Sequence, residues 1–253
     1  VKLSVSGIDF NYGSKEILNE VSLNVSPSEV FGILGPNGSG KTTLLRCING
    51  ILTPKQGHIA LDETDTKSMT RQEIAKNMGY VPQNSLTDLC VPTVFEVVLM
   101  GRKPHAPWGF SEKDKEIAWL MMEELDVKHL AAQQFDRLSS GQTQRVLMAR
   151  AMAQEAKVLL LDEPTSNLDV RYQIEIMNAI LGLSRKKGVS ACVIVHDLDL
   201  AMRFCDKLVL LDQGKIVAMG KTEDVLTPQN IKDVYGVDSI VSHDHGRPRV
   251  LIL

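Results

Sequence analysis

The stretch Gly35-Pro36-Asn37-Gly38-Ser39-Gly40-Lys41-Thr42 constrains the fold more than any other part of this chain. It fits the pattern G-x-x-x-x-G-K-[ST] and stands between two segments of different character. Before it, Val30-Phe31-Gly32-Ile33-Leu34 is an unbroken apolar run, the mark of a strand buried on both faces; after it, a helix is predicted from Lys41 to Ile51. In that setting the glycines let successive backbone N–H groups turn inward around phosphates, and the helix start adds the positive end of its dipole. Lys41 is placed to neutralise charge on the β- and γ-phosphates of a nucleotide, and the Thr42 hydroxyl to hold Mg²⁺. A chance glycine-rich turn would lack the flanking strand and helix.

Further apolar runs at Val158 to Leu161 and Ala191 to Val195, separated by helical stretches, predict a parallel α/β sheet around that loop. The opening segment differs. Leu3, Val5, Val21, Leu23 and Val25 alternate with polar residues, the period of half-exposed antiparallel strands, and a last hairpin is signalled by Leu208 to Leu211, Asp212-Gln213-Gly214 and Ile216 to Ala218. From about Asn84 to Arg137 the pattern turns helical. Ser111 with Asp114 makes a capping-box start, Ile117, Leu120, Met121, Glu124 and Leu125 follow at three-and-four spacing, and Cys90 to Met100 reads as a second apolar helix beginning after Pro92. With 253 residues and no repeat or Pro/Ser-rich linker, this helical block is predicted to be inserted into one compact unit.

The run Val158-Leu159-Leu160-Leu161 ends in Asp162-Glu163. Strand alternation sends the two carboxylates to different sides, which predicts separate tasks: Asp162 supporting Mg²⁺, and Glu163 polarising a water for attack on a γ-phosphate. Two acids ending a strand are common at surfaces; the phosphate loop in the same chain lifts this pair above that reading. Lys plus Arg number 28 against 31 Asp plus Glu, a net charge of −3, which argues against a duplex-binding protein and leaves nucleic acid off the expected partners. Cys47, Cys90, Cys192 and Cys205 lie in separate apolar or helical stretches without a Cys-x-x-Cys pair, and read as reduced, buried thiols of a cytosolic protein. No apolar run approaches the ~20 residues needed to span a bilayer.

Leu138-Ser139-Ser140-Gly141-Gln142 resembles the LSGGQ signature of ABC-type ATPases, departing from it at Ser140, where the usual residue is Gly. It follows the helical block and precedes a helix predicted over Thr143 to Gln154, which leads to the Asp162-Glu163 strand. In the family's order, Tyr12 resembles the aromatic that stacks on adenine, Gln83 the Q-loop glutamine, Ser166-Asn167-Leu168-Asp169 the D-loop and His196 the H-loop histidine. The resemblance implies an α/β fold: a P-loop NTPase core with a parallel sheet, an N-terminal antiparallel β-subdomain and an inserted α-helical subdomain. It implies a single ABC ATPase domain over 1–253, with a RecA-like core at about 1–83 and 156–253 and a helical subdomain at about 84–155.

ATP and Mg²⁺ are the cofactors so implied. ATP would be bound by Tyr12, by Gly35, Pro36, Asn37, Gly38, Ser39, Gly40, Lys41, Thr42 and Thr43, and across a dimer by Ser139, Ser140, Gly141, Gln142 and Asp169. Mg²⁺ would be held by Thr42, Gln83 and Asp162, and hydrolysis would fall to Glu163, His196, Gln83 and Lys41. A helix beginning beside Ser139 and Gly141 offers N–H donors to an anion, and a histidine can donate to a γ-phosphate near neutral pH.

In this family two ATPase subunits face head to tail, so the resemblance implies a homodimer in which loop 35–42 of one copy and loop 139–142 of the other enclose each ATP. It also implies two membrane-spanning permease subunits, a substrate-binding protein and a place on the cytoplasmic face of the cell membrane. Gly101-Arg102-Lys103-Pro104-His105, with Trp108, resembles the GRxPH segment of ATPases serving iron-siderophore, haem and cobalamin importers, as does the tail from Asp224 to Val237; this loop is expected to grip the membrane partner. A soluble ABC-type ATPase without a transport role, such as that of iron-sulfur cluster assembly, shares the nucleotide motifs and is the alternative. His243-Asp244-His245 offers two alternating imidazoles but no third metal ligand, and reads as a solvated turn.

Overall fold

The apolar alternation of the opening residues becomes an antiparallel pair, β1 (Leu3–Tyr12) and β2 (Lys15–Val25), in the computed structural model, which describes residues 1–83, 91–244 and 247–253. β3 (Val30–Leu34) follows with every residue buried, then the glycine loop and α1 (Lys41–Ile48). β4 (Gln56–Leu61) and β5 (Thr64–Asp65) complete a four-stranded antiparallel sheet in the order β2-β1-β4-β5. After α2 (Arg71–Asn77) and β6 (Met78–Val81) comes the helical block of α3 (Val94–Leu99), α4 (Glu112–Glu124) and α5 (Ser140–Ala153). The chain then runs β7 (Val158–Leu161), α6 (Val170–Lys187), β8 (Ser190–Ile194), α7 (Leu198–Phe204), β9 (Lys207–Asp212) and β10 (Lys215–Lys221). It closes with α8 (Thr222–Val225), α9 (Pro228–Tyr235) and the hairpin of β11 (Ser239–Asp244) and β12 (Arg247–Ile252).

The central sheet has the order β10-β9-β3-β8-β7-β6, and its pairings are parallel except for β10 on β9. Both faces are covered, which is why its strands are continuous apolar runs. Leu160, Ile33 and Ile194 face a core shared with α1 and the antiparallel sheet, where Leu44, Leu45 and Ile48 meet Leu3, Val5 and Ile59. Leu159, Leu161 and Val193 face the other core, built with α3, α4, α5 and α6 through Val97, Met122, Met148 and Ile180. Because β3, β6, β7 and β8 run the same way, their carboxyl ends share one edge, and the loops that leave them converge there.

The structure moves several predicted boundaries. α1 stops at Ile48 rather than Ile51, since Gly50 turns left-handed (φ 70°) and donates to Cys47 O. α5 begins at Ser140, not Thr143: Ser139 and Gln142 form a capping box, the side chain of each bonding the other's backbone N–H. The apolar helix predicted over Cys90 to Met100 is α3, started by a Thr93–Glu96 capping box; Asn84 and Cys90 lie outside the described residues. α4 buries Asp114, Ala118, Met121 and Met122, while Leu120 is 53% exposed, so its packed face is rotated from the predicted stripe. Cys47, Cys192 and Cys205 are buried free thiols pushed up to about 12 by desolvation, as expected of inert core cysteines. In the last hairpin the backbones of His243 and Asp244 pair with Pro248 and Arg247, and His245 lies outside the described residues. Among the described residues no helix is long and apolar enough to cross a membrane.

The segment expected to grip a partner divides in two. Arg102 is turned inward: Nε donates to Asp114 Oδ1 at 3.0 Å, and Nη1 donates to Ala153 O at 2.7 Å and to Glu155 Oε2 at 2.6 Å. His105 Nε2 lies 2.9 Å from Gln154 O. These residues lock the start of α4 to the end of α5. Hydrogen bonds from Ser111, then Arg102, hold the Asp114 carboxyl down at about 2, although burial opposes them. Trp108, by contrast, is 98% exposed. Arg102→Ala should therefore lower the unfolding free energy by about 3 kcal/mol, because it leaves a buried carboxylate without its cation, whereas Trp108→Ser should change it by less than about 0.5 kcal/mol. Urea titration of the two variants measures the contrast.

Candidate active site

The loop after β3 wraps around the ammonium of Lys41, which donates to Gly35 O and Pro36 O, both at 2.8 Å. Gly35 has φ 147° and passes so close to β9 that a Cβ there would sit 2.0 Å from Leu211 O; only glycine fits. Burial lowers the Lys41 pKa, against the opposing pull of Glu163 and Asp162. A desolvated cation held by neutral carbonyls suits an incoming phosphate. The Ser39 hydroxyl is buried without a partner among the described residues, a further polar atom in the same loop. Asn37, Gly38, Gly40, Lys41, Thr42 and Thr43 line a cavity of about 330 Å³, joined by Lys15 and Ile17 from β2 and by Glu163.

Asp162 and Glu163 lie just past the end of β7, not within it. Asp162 N–H still bonds Val81 O at 2.9 Å, which continues the ladder by one residue. Its carboxylate is buried and accepts from the Thr42 hydroxyl at 2.9 Å and the Tyr80 hydroxyl at 3.0 Å. Burial raises its pKa, partly countered by those two hydrogen bonds. Tyr80 is itself pushed up to about 12, by burial and then by the Asp162 charge, so it stays a donor. A hydroxyl and a carboxylate facing each other are hard oxygen donors of the kind Mg²⁺ takes, and a divalent cation would relieve the charge that burial penalises.

Glu163 has left-handed backbone, φ 54°, and this turn, rather than strand alternation, separates it from Asp162. Ser166 fixes it by donating to Glu163 O from both its backbone N–H (3.1 Å) and its hydroxyl (2.9 Å). One carboxylate oxygen accepts from Gln83 Nε2, just past β6; the other lies 2.5 Å from His196 Nε2, two residues past β8. The ends of β3, β6, β7 and β8 thus bring Lys41, Thr42, Gln83, Asp162, Glu163 and His196 into one cluster.

The other predicted residues stand apart from it. Tyr12 is 49% exposed at the end of β1, its ring set edge-on to Phe10 at 4.9 Å, and it pairs across the hairpin with Lys15, which lines the cavity. Ser139, Ser140, Gly141 and Gln142 open α5 on the side of α6, outside the cavity lining. Asp169 caps α6, accepting from Tyr172 N at 3.1 Å. Three contributors lie outside the predicted set: Lys15 and Ile17 belong to no motif, and Tyr80 offers only its place three residues before Gln83, a weak signal.

Comparison with known proteins agrees with this geometry. The sequence profile of the ABC transporter family matches residues 18–166. An uncharacterized ABC transporter ATP-binding protein of Methanocaldococcus jannaschii is 45% identical over 249 residues, 98% of this chain and 97% of the relative. A hemin import ATP-binding protein of Bordetella avium is 38% identical over 259 residues, 99% of this chain and 98% of the relative. A solved ABC transporter assigned to the metal-chelate type, in an inward-facing conformation, superimposes with a TM-score of 0.86 at 27% identity, covering 99% of this chain and 96% of that one. With a profile match over more than half its length and a full-length relative at 45% identity, the chain belongs to the ABC transporter family, on the side of its ATP-binding proteins, which are ATPases.

Proposed function

We propose that this chain is the ATP-hydrolysing subunit of an importer for a metal chelate of the haem, siderophore or cobalamin kind. It works as a homodimer on the cytoplasmic face of the membrane, with two permease subunits and a substrate-binding protein. The observation that carries the reading is the cluster at the sheet edge, where Glu163 touches both Gln83 and His196 beside the buried Lys41, while the signature residues 139–142 lie outside the cavity lining. A site with its phosphate loop and base on one side and no signature wall calls for a second copy. The cargo class rests on the hemin import relative and the metal-chelate type structure. The helical block at about 84–155 is the arm that carries the signature helix, and the core at about 1–83 and 156–253 carries the phosphate loop.

Each residue has a task its surroundings suit. Lys41 exchanges its two carbonyl partners for phosphate oxygens, and the N–H groups of the loop bind the rest of the phosphate chain. Tyr12 stacks on the adenine without reading it. Thr42, Asp162 and Gln83 would hold Mg²⁺, which supplies charge stabilisation to the phosphates when bound. Glu163 orients a water and takes its proton on a carboxylate oxygen as the water oxygen bonds to the γ-phosphorus and the bond to the β-phosphate oxygen breaks. His196 donates from Nε2 to the γ-phosphate, and Gln83 reports that phosphate to the helical block. Asp169 and Ser139 to Gln142 serve the site of the opposite copy.

Glu163→Gln should keep ATP affinity within about threefold, lower turnover by about 10²- to 10⁴-fold, and hold an ATP-bound dimer visible on a sizing column. A variant hydrolysing at the parent rate removes Glu163 as the base. Lys41→Ala should weaken ATP binding by about tenfold or more in calorimetry, through loss of a charge-assisted contact. The transport role is read separately: the tagged chain should leave its own membranes with a polytopic protein, and its purification without one favours the soluble alternative.

A further inference from the structure

The first turn of the signature helix lies against one aromatic ring. Gly141, in the first turn of α5, lies over Tyr172 of α6 so closely that a Cβ would stand 3.3 Å from the ring. The Arg145 guanidinium, one turn further along α5, sits 5.0 Å from the centre of the same ring. Arg145 also pairs with Glu175, whose other oxygen accepts from Arg171 Nε at 2.9 Å. Those two arginines hold the Glu175 carboxyl below its ordinary range, the hydrogen bond from Arg171 contributing most. At the other end Tyr172 N–H donates to Asp169, and the Ser140 hydroxyl donates to Asn167 O at 3.4 Å. The side chain that replaces the usual glycine at 140 therefore turns toward its own chain.

We propose that Tyr172 is a positioning residue of the ATPase reaction. Its ring, held between Gly141 and Arg145, sets the height at which the start of α5 is offered to ATP bound by the opposite copy. The inference rests on the head-to-tail homodimer of the proposed function. The ring leaves no easy room for a side chain at 141, and a smaller side chain at 172 would let the turn sink. The N–H groups of residues 140 and 141 would then miss the anion by a fraction of an ångström, which is costly where geometry governs rate. Tyr172 lies on the helix that begins at Asp169, and the preceding loop is tied by Ser166 to Glu163 O. One short segment thus places the base of one site and the signature wall of the other.

The test uses the full chain carrying Glu163→Gln, with sedimentation as the readout of ATP-driven pairing. Adding Tyr172→Leu should weaken pairing about tenfold or more while ATP affinity of the single copy stays within about twofold; Tyr172→Phe, which keeps the ring, should restore it. In the parent chain Tyr172→Leu should lower kcat with little change in the ATP concentration for half-saturation of the single copy. Arg145→Met, which leaves Glu175 paired to Arg171, should weaken pairing by about threefold and stands in if the leucine variant does not fold. Pairing unchanged in Tyr172→Leu, or in Arg145→Met should leucine fail to fold, overturns this inference alone. If Glu163→Gln itself does not pair with ATP, the head-to-tail reading falls first.

Discussion

Parallel pairing of β3, β8, β7 and β6 is the constraint on which the rest of the molecule depends. A parallel ladder forces every strand to deliver its carboxyl end to the same edge, and each strand here leaves at least one polar residue there: the phosphate loop after β3, His196 after β8, Asp162 and Glu163 after β7, Gln83 after β6. The strands are five residues or fewer and buried on both faces, so their register is fixed by packing on two cores at once. Side chains distant in sequence by up to 155 positions, Lys41 and His196, are held together by backbone geometry and need no contact of their own.

Burial gives this edge its electrostatic character. Lys41 and Asp162 are both desolvated, and burial shifts each pKa in the direction that favours the group's own neutral form, down for Lys41 and up for Asp162. Neither is paired directly to the other; Lys41 bonds carbonyls and Asp162 bonds hydroxyls. Opposite charges kept in neutral company retain their appetite for a ligand that brings the complementary charge, a phosphate chain for one and a divalent cation for the other. A direct ion pair between them would have been a resting state that the ligand must break.

The sequence made legible whatever depends on local pattern. The glycine loop could be read because its backbone demands glycine and lysine at fixed spacing, and β3, β7 and β8 because double burial leaves runs such as Val158 to Leu161 without a polar break. β6 is hard to read because Met78–Val81 is short and interrupted by Gly79, and β4 because only Ile59 and Leu61 of its six residues are buried apolar side chains. α5 starts three residues earlier than its predicted Thr143, at a Ser139–Gln142 capping box hidden within the signature string, whose residues carry cap and motif at once. Arg102 is the harder case. Its recognition string suggests a partner-facing cation, but long-range contacts with Asp114 and Glu155 turn it inward, and no local pattern encodes that.

Glu163 shows how a local strain serves two ends. Its left-handed backbone costs on the order of 1 kcal/mol, and Asn167, four residues on, is left-handed too, with φ 58°. Between them Ser166 and Thr165 are tied back by Glu163 O and Gln173, so the turn is over-determined from both sides. The bend swings the carboxylate out of line with Asp162 and toward Gln83 and His196, and the same bend carries the chain to Asp169, where α6 begins under the signature helix. A residue with relaxed backbone at 163 would leave the carboxylate on the Asp162 side or send α6 elsewhere. The placement of the Glu163 carboxylate and the stance of α5 are therefore consequences of one turn, and a change that releases it is felt at both ends of the segment.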